Sequence, residues 1–317
     1  MIRRFLALGV APIAILPLAT LLLCQCGEKD PGPVLIGQTQ ENLAKADALF
    51  AKAQAEEAKG DFGDAIDLYQ DVADDYPLAT NAGEARYRQA LLLDQKENKR
   101  RPAYKAYEKF LKNFPGHPKY SVALKRVYEI AIGAQRGDIQ TNFLGIKGKL
   151  PFDDTLEMLT AVKTYAPNPD LAAKAQYAIG ELYLSDKKWH GSVAQFRLVA
   201  DDHREHPLAP EALFRVGKIL LDMAERGNQS QATIDLSREA FNDYLIQFPG
   251  HKRNAEARKM IASLGAREVD RAIEVADFYY KTKQWESAKI YYREVIKKTK
   301  SGPDYDRAKA RLKELEN

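Results

Sequence analysis

After residue 26 the chain has no cysteine; its two thiols are Cys24 and Cys26. This excludes internal disulfides, thiol catalysis and cysteine-ligated metal from everything downstream. No segment rich in Val, Ile and Thr alternates with period two over any length, so almost no sheet is expected. One-sided charge is lacking too. The formal charge is +4, and loss of Arg3 and Arg4 with a signal peptide leaves about +2. So small an excess is no electrostatic footprint for nucleic acid. The chain has no Gly-rich phosphate loop, no Gly-x-Ser-x-Gly elbow and no His-Glu-x-x-His. The expectation is therefore a protein that is not an enzyme and carries no cofactor and no metal.

Asp201-Asp202-His203-Arg204-Glu205-His206 comes nearest to a metal site, with two His three apart among carboxylates. Pro207 follows at once and Arg204 would oppose a cation, so the segment reads as a fraying helix end. Lys96–Arg101, the densest basic cluster, reads as a solvated loop between helices. His117 and His251 each follow Pro-Gly and read as turn residues, and Trp189 and Trp285 as core.

Repetition is what the sequence does contain. Residues 103–117 end in Lys-Asn-Phe-Pro-Gly-His, and the layout returns 134 residues on, ending in Ile-Gln-Phe-Pro-Gly-His. The reference register is Phe62, Ala65, Tyr69, Val72 and Tyr76-Pro77. An offset of 38 gives Ala103, Tyr107, Phe110, Phe114 and Pro115; an offset of 172 gives Ser237, Phe241, Tyr244, Phe248 and Pro249. Offset 127 gives Trp189, Ser192, Phe196 and Val199, with Pro207 three residues late. Offset 223 gives Trp285, Ala288, Tyr292 and Val295 without a proline, and offset 90 gives Thr155, Leu159, Val162, Ala166 and Pro167. Small-x3-aromatic-x2-apolar puts all three positions on one helical face. The small residue admits a neighbouring helix, the aromatic fills the space beside it, and proline stops the helix.

Each copy needs a first helix before it. Ile179-Gly180-x-x-Tyr183 with Ser192 nine residues on, and Val275-Ala276-x-x-Tyr279 with Ala288 nine residues on, fit the tetratricopeptide pattern. The reading is an all-α tetratricopeptide-repeat superhelix of about six helix pairs (42–77, 82–115, 119–167, 171–207, 208–249, 254–299) with a charged capping helix at 304–316. Such stacks offer a long concave surface to partners. Two segments interrupt the register. Gln135–Pro151 inserts a Gly-rich loop into the third pair, and Ala224–Ile234 lengthens the turn of the fifth.

The N-terminus carries Met-Ile-Arg-Arg, then an uncharged stretch over 5–23 broken by Pro12 and Pro17, then Leu21-Leu22-Leu23-Cys24-Gln25-Cys26-Gly27. This reads as a signal peptide over 1–26 whose end is similar to a bacterial lipobox. Lipidation is placed at Cys26, with Cys24 the alternative, because the polar stretch after Cys26 suits a tether over 27–41. The residues before the two cysteines, Leu23 and Gln25, are larger than that motif normally carries. An uncleaved membrane anchor and simple cleavage to a soluble periplasmic protein are the other readings. All three place the repeats outside the cytoplasm.

These features together resemble the BamD-type lipoproteins of the outer-membrane β-barrel assembly machinery. The similarity is strongest over 208–299, in Glu211–Gly217, Ser230-Gln231-Ala232-Thr233, Ala240–Pro249 and Glu274–Ala288, and the loop Phe143-Leu144-Gly145-Ile146-Lys147 looks like one found in some members. Ile290-Tyr291 departs from the Asn-Arg that members often carry at that place. The resemblance implies a lipid-anchored scaffold at the periplasmic face of the outer membrane, acting by binding alone. Its partners would be barrel-assembly subunits and unfolded outer-membrane proteins, with no nucleic acid. An adaptor of another envelope machine, such as a secretin pilotin or a Tol or cell-division coordinator, is the alternative. Groove candidates are the aromatic and Arg side chains of the first helices: Tyr87, Arg88, Tyr128, Tyr177, Tyr183, Phe214, Arg215, Tyr279 and Tyr280.

Overall fold

The spacing that marks the repeat also fixes where helices begin. In the computed structural model, which describes residues 36–96, 99–143, 146–226 and 231–316, helices start at Phe62, Arg100, Phe152, Trp189 and Trp285. These are the reference position and its offsets of 38, 90, 127 and 223. In chain order the helices are α1 (Ile36–Lys59), α2 (Phe62–Asp75), α3 (Ala82–Gln95), α4 (Arg100–Asn113) and α5 (Tyr120–Arg136). A two-stranded ribbon, β1 (Gln140–Phe143) and β2 (Ile146–Lys149), comes next. Then follow α6 (Phe152–Tyr165), α7 (Pro169–Ser185), α8 (Trp189–Asp202), α9 (Leu208–Arg226), α10 (Gln231–Gln247), α11 (Asn254–Lys281), α12 (Trp285–Lys298) and α13 (Pro303–Glu316). Among the described residues this is six antiparallel pairs and a final helix, an all-α tetratricopeptide superhelix.

The small positions Ala65, Ala103, Thr155, Ser192, Ser237 and Ala288 are all buried, as are the partners Tyr69, Tyr107, Leu159, Phe196, Phe241 and Tyr292. Where the small residue is serine, its hydroxyl is satisfied by the first helix. Ser192 Oγ donates to the Gly180 carbonyl at 2.9 Å, and Ser237 Oγ to that of Gly217 at 2.8 Å. Both glycines face the aromatic of their own pair. A Cβ on Gly180 would stand 2.9 Å from the Phe196 ring, and one on Gly217 2.7 Å from Phe241. These two pairs thus close on glycine, aromatic and serine together.

Proline is not what ends the second helices. α8 stops at Asp202 and α12 at Lys298, although the next prolines, Pro207 and Pro303, each lie five residues further on. Both have 14 residues, as do α2, α4 and α6. The length of the buried seam sets the end, and proline reinforces it where present. Three of the turns inside the pairs share one form. The residue two before the second helix has positive φ in each: Gly60 at 90°, Lys187 at 59° and Lys283 at 60°.

Three features differ from the sequence reading. The loop after α5 contains an antiparallel ribbon, with Gln140 opposite Lys149 and Phe143 opposite Ile146. The turn of the fifth pair is shorter than expected, because α10 begins at Gln231, a turn before its register position at Ile234. Finally, α11 runs unbroken for 28 residues. Its first half packs Ala257 and Leu264 into the core with α9 and α10, and its second half packs Ala272, Ile273 and Ala276 against α12 and α13. The signal peptide, the lipobox cysteines, the tether up to residue 35, and Leu144 and Gly145 of the family-like loop lie outside the described residues. No described helix is long and apolar enough to cross a membrane.

Candidate partner-binding site

Successive first helices touch through polar pairs of one orientation. Glu57 of α1 accepts from Arg88 Nη1 of α3 at 3.2 Å, and Asp94 of α3 from Arg126 Nη2 of α5 at 2.9 Å. Glu181 of α7 pairs with Arg215 of α9. Glu211 of α9 receives Nη1 of Arg253, the N-cap of α11, at 2.6 and 2.8 Å, and Asp277 of α11 receives Arg307 of α13 at 3.1 Å. At each of these junctions the acid comes from the earlier helix and the arginine from the later. Between α5 and α7 an amide serves instead, Gln135 Nε2 donating to the Ala178 carbonyl at 3.0 Å. The Asp94 side chain is fully buried while Arg126 is about one-third exposed, so this pair is the desolvated one. The hydrogen bonds that Arg126 donates to Asp94 and Glu129 raise its pKa against the opposing effect of burial.

The predicted groove residues divide by this geometry. Phe214 has no exposed surface, since it packs edge-on to Phe241 and Tyr244 beneath the Arg253 guanidinium, 3.6 Å from its ring. Tyr87 is likewise buried, against Tyr107 and Phe110. These two expectations are corrected: both side chains are core, because the ring positions of a first helix turn toward its own second helix. Arg88 and Arg215 belong to the charge ladder. Tyr177 is half-buried edge-on to Phe196 with Arg215 5.7 Å above its ring, and burial pushes its hydroxyl pKa up to about 12. Tyr128 is half-buried, with its pKa raised by burial, and Tyr183 packs edge-on to Phe152.

Tyr279 and Tyr280 lie partly buried at the end of α11, in an aromatic group that includes the exposed Phe278 and Trp285. Tyr279 stacks on Tyr291 at 5.4 Å and meets Phe278 edge-on at 5.5 Å. Phe278 is 58% exposed, and Ile290, beside Tyr291 on α12, is 62% exposed. Tyr280 donates to Glu314 at 2.6 Å, accepts from Arg311 at 2.8 Å and packs against Trp285. Trp285 is 42% exposed, so the expectation that it is core is also corrected. Beside Tyr291, a cavity of about 420 Å³ runs between α10, α11 and α12, with Arg238, Glu268 and Lys298 in its wall. Exposed aromatics beside mixed charge have the composition of a protein interface.

Sequence reasoning missed the ladder and the aromatic terminus. The ladder had a signal, an acid followed by Arg 30 to 42 residues later. No cluster of three or more potential metal ligands occurs among the described residues. His206 lies 3.2 Å from Asp170 of α7, and His251 2.6 Å from the Tyr244 hydroxyl of α10, each histidine reaching a helix from its turn.

Known proteins resemble parts of this chain. The tetratricopeptide repeat profile matches residues 47–79 and 84–117. In the solved structures, a tetratricopeptide repeat protein of Parabacteroides merdae is 14% identical, with 86% of this chain and 99% of that one covered, at a TM-score of 0.31. PilF of Pseudomonas aeruginosa is 13% identical over 86% and 98%, at a TM-score of 0.30. The fold is a tetratricopeptide superhelix, an architecture that mediates protein–protein contacts. The chain's likeness to the BamD type is borne out in sequence: the outer membrane protein assembly factor BamD of Caulobacter vibrioides is 23% identical over 256 residues, covering 76% of this chain and 77% of that protein.

Proposed function

We propose that the chain is a non-enzymatic, lipid-anchored periplasmic scaffold that serves outer-membrane β-barrel protein assembly. The observation that carries this reading is the BamD-like sequence through three quarters of the chain. The surface supports a binding mechanism. The exposed Phe278 with the partly buried Tyr279 and Tyr291 behind it offers a rigid docking end, and Arg88, Tyr128, Tyr177, Tyr183 and Arg215 line the approach along the first helices. A barrel-forming subunit would dock on the aromatic end, and an extended segment of unfolded substrate would lie along the first-helix side. Ile290-Tyr291 makes that docking end more apolar than the family's Asn-Arg would. Anchoring is through a lipid on Cys26, or on Cys24.

The test is immunoprecipitation of the full-length chain from detergent-solubilised envelopes, together with its depletion. Recovery of a polypeptide-transport-domain barrel protein, with a fall in outer-membrane protein levels on depletion, is expected. Unchanged outer-membrane protein levels, with secretin, Tol or division proteins recovered instead, would discard the barrel-assembly role. Cys26→Ser should move the protein from the membrane to the soluble fraction.

A further inference from the structure

Two neighbouring second helices carry opposite charge. α2 holds five aspartates, Asp64, Asp67, Asp71, Asp74 and Asp75, and no basic residue. α4 holds five basic residues, Arg100, Arg101, Lys105, Lys109 and Lys112, against the single acid Glu108. At 3.6 residues per turn the aspartates fall within an arc of about 100°, and Arg101, Lys105, Lys109 and Lys112 within one of about 80°. Both arcs face away from the core. Ala65, Tyr69 and Val72 of α2 and Ala103, Tyr107 and Phe110 of α4 are buried, whereas each charged residue in the two arcs is exposed.

The two rows do not neutralise each other. A groove of about 530 Å³ lies between them, with Arg86 of α3 in its lining. One ion pair crosses it, Lys109 to Asp74 at 3.5 Å, and that same Asp74 already holds Arg86. Asp67, Asp71, Asp75, Lys105 and Lys112 have no ion pair among the described residues. On its other side α4 is already bridged, Arg101 to Asp154 of α6 at 2.7 Å.

A partner of one charge sign is attracted by one of these helices and repelled by the other. The matching surface is an acidic row beside a basic row in reversed order, and this chain itself carries one. A two-fold rotation about an axis through the groove lays α2 of one copy antiparallel over α4 of the other, and α4 over α2. The spacing fits that arrangement. From Asp64 the aspartates Asp67, Asp71 and Asp75 follow at 3, 4 and 4 residues, and from Lys112 the basic residues read backward to Lys109, Lys105 and Arg101 at 3, 4 and 4. One register therefore sets Asp64 opposite Lys112, Asp67 opposite Lys109, Asp71 opposite Lys105 and Asp75 opposite Arg101.

We propose that the α2–α4 face is an interface between two copies of this chain, closed by that two-fold pairing of rows. The same patch serves both copies, so the contact is self-complementary and ends at a dimer. The two helices present a face about 21 Å long and about 20 Å wide. That is at the small end of specific interfaces, and its charges are exposed, so the dimer is weak and salt-sensitive. The inference does not depend on which assembly the chain serves.

Sedimentation velocity of the full-length protein in detergent tests it. A dimer is expected at about 50 µM protein in about 50 mM salt, and its dissociation constant should rise at least about tenfold in about 500 mM salt. Asp67→Lys/Asp71→Lys reverses part of one row, and Lys105→Glu/Lys109→Glu part of the other. Each variant alone should associate at least about tenfold more weakly, with helicity unchanged. Mixed in equal amounts the two should pair again, because each altered row then meets its complement. A monomer at every salt concentration overturns the proposal, as does a dimer that ignores both variants or fails to re-form in the mixture. Loss of the dimer only on Phe278→Ala places the interface at the aromatic end and overturns it. Species larger than a dimer mark a head-to-tail contact and overturn it as well.

Discussion

Replacing Gly217 by alanine tests the close approach on which the fifth helix pair rests. The new Cβ would meet Phe241 Cε1 at 2.7 Å and Cδ1 at 2.8 Å, against an ordinary carbon contact of about 3.5–4.0 Å. The ring has no room to yield, since Phe241 is fully buried and lies edge-on to Phe214 at 5.3 Å. Overpacking of this kind costs about 1–3 kcal/mol, and the severity of the contact argues for the upper end. Alanine's helix preference over glycine returns about 1 kcal/mol. A net loss of about 2 kcal/mol is expected, or roughly 1 M in urea midpoint for an m-value of about 2 kcal/mol/M. Gly265→Ala in the middle of α11 is the control. Its Cβ meets nothing within 4 Å, so that variant should gain up to about 1 kcal/mol. The assay is urea unfolding followed by circular dichroism at 222 nm, with Phe241→Leu completing a double-mutant cycle. Coupling of at least about 1 kcal/mol between Gly217→Ala and Phe241→Leu is required. If both glycine variants shift the midpoint alike, or the two sites prove additive, the packing argument is wrong.

Burial should separate two ladder variants of similar geometry: Arg126→Ala strands the buried Asp94 and should cost about 3 kcal/mol, whereas Arg215→Ala at a partly exposed pair should cost about 1 kcal/mol or less, both by urea melts. Buried tyrosines make the fold alkali-sensitive. Burial raises Tyr177 to about 12 and pushes Tyr69, Tyr107 and Tyr292 up as well, so their neutral form belongs to the folded state. Stability should hold below the ordinary tyrosine value of about 10 and fall as pH rises through the folded values, with absorbance at 295 nm and helicity changing together. Lys283→Gly should raise stability by about 1 kcal/mol, because the left-handed turn at φ 60° suits glycine, and thermal melting reads the gain. Phe278→Ala should alter stability by no more than about 0.5 kcal/mol yet reduce partner recovery in the immunoprecipitation several-fold.

Particular residues explain what could be read from the sequence and what could not. Five second-helix starts were legible because Ala65–Tyr69, Ala103–Tyr107 and their counterparts carry the packing directly in residue type and spacing. The early start of α10 was not, since Gln231-Ala232-Thr233 carries no repeat signal and joins the helix simply as a turn ahead of Ile234. The length of α11 is set by packing rather than by the repeat signal, since Leu264 and Ala272 hold both sides of Gly265 in core. Phe214 and Tyr279 are indistinguishable as aromatics on apolar first helices, yet the first is core and the second faces the terminal cluster.

The orientation of the charge ladder bears on how such an array can lengthen. α3 presents Arg88 backward and Asp94 forward, α9 Arg215 backward and Glu211 forward, and α11 Arg253 backward and Asp277 forward. Contacts of this kind join head to tail and do not close on themselves. Copying one such unit in tandem therefore creates an attractive junction without any further substitution, while inserting it reversed sets like charge against like. The array carries a built-in direction of growth, written in which side of each first helix bears the arginine.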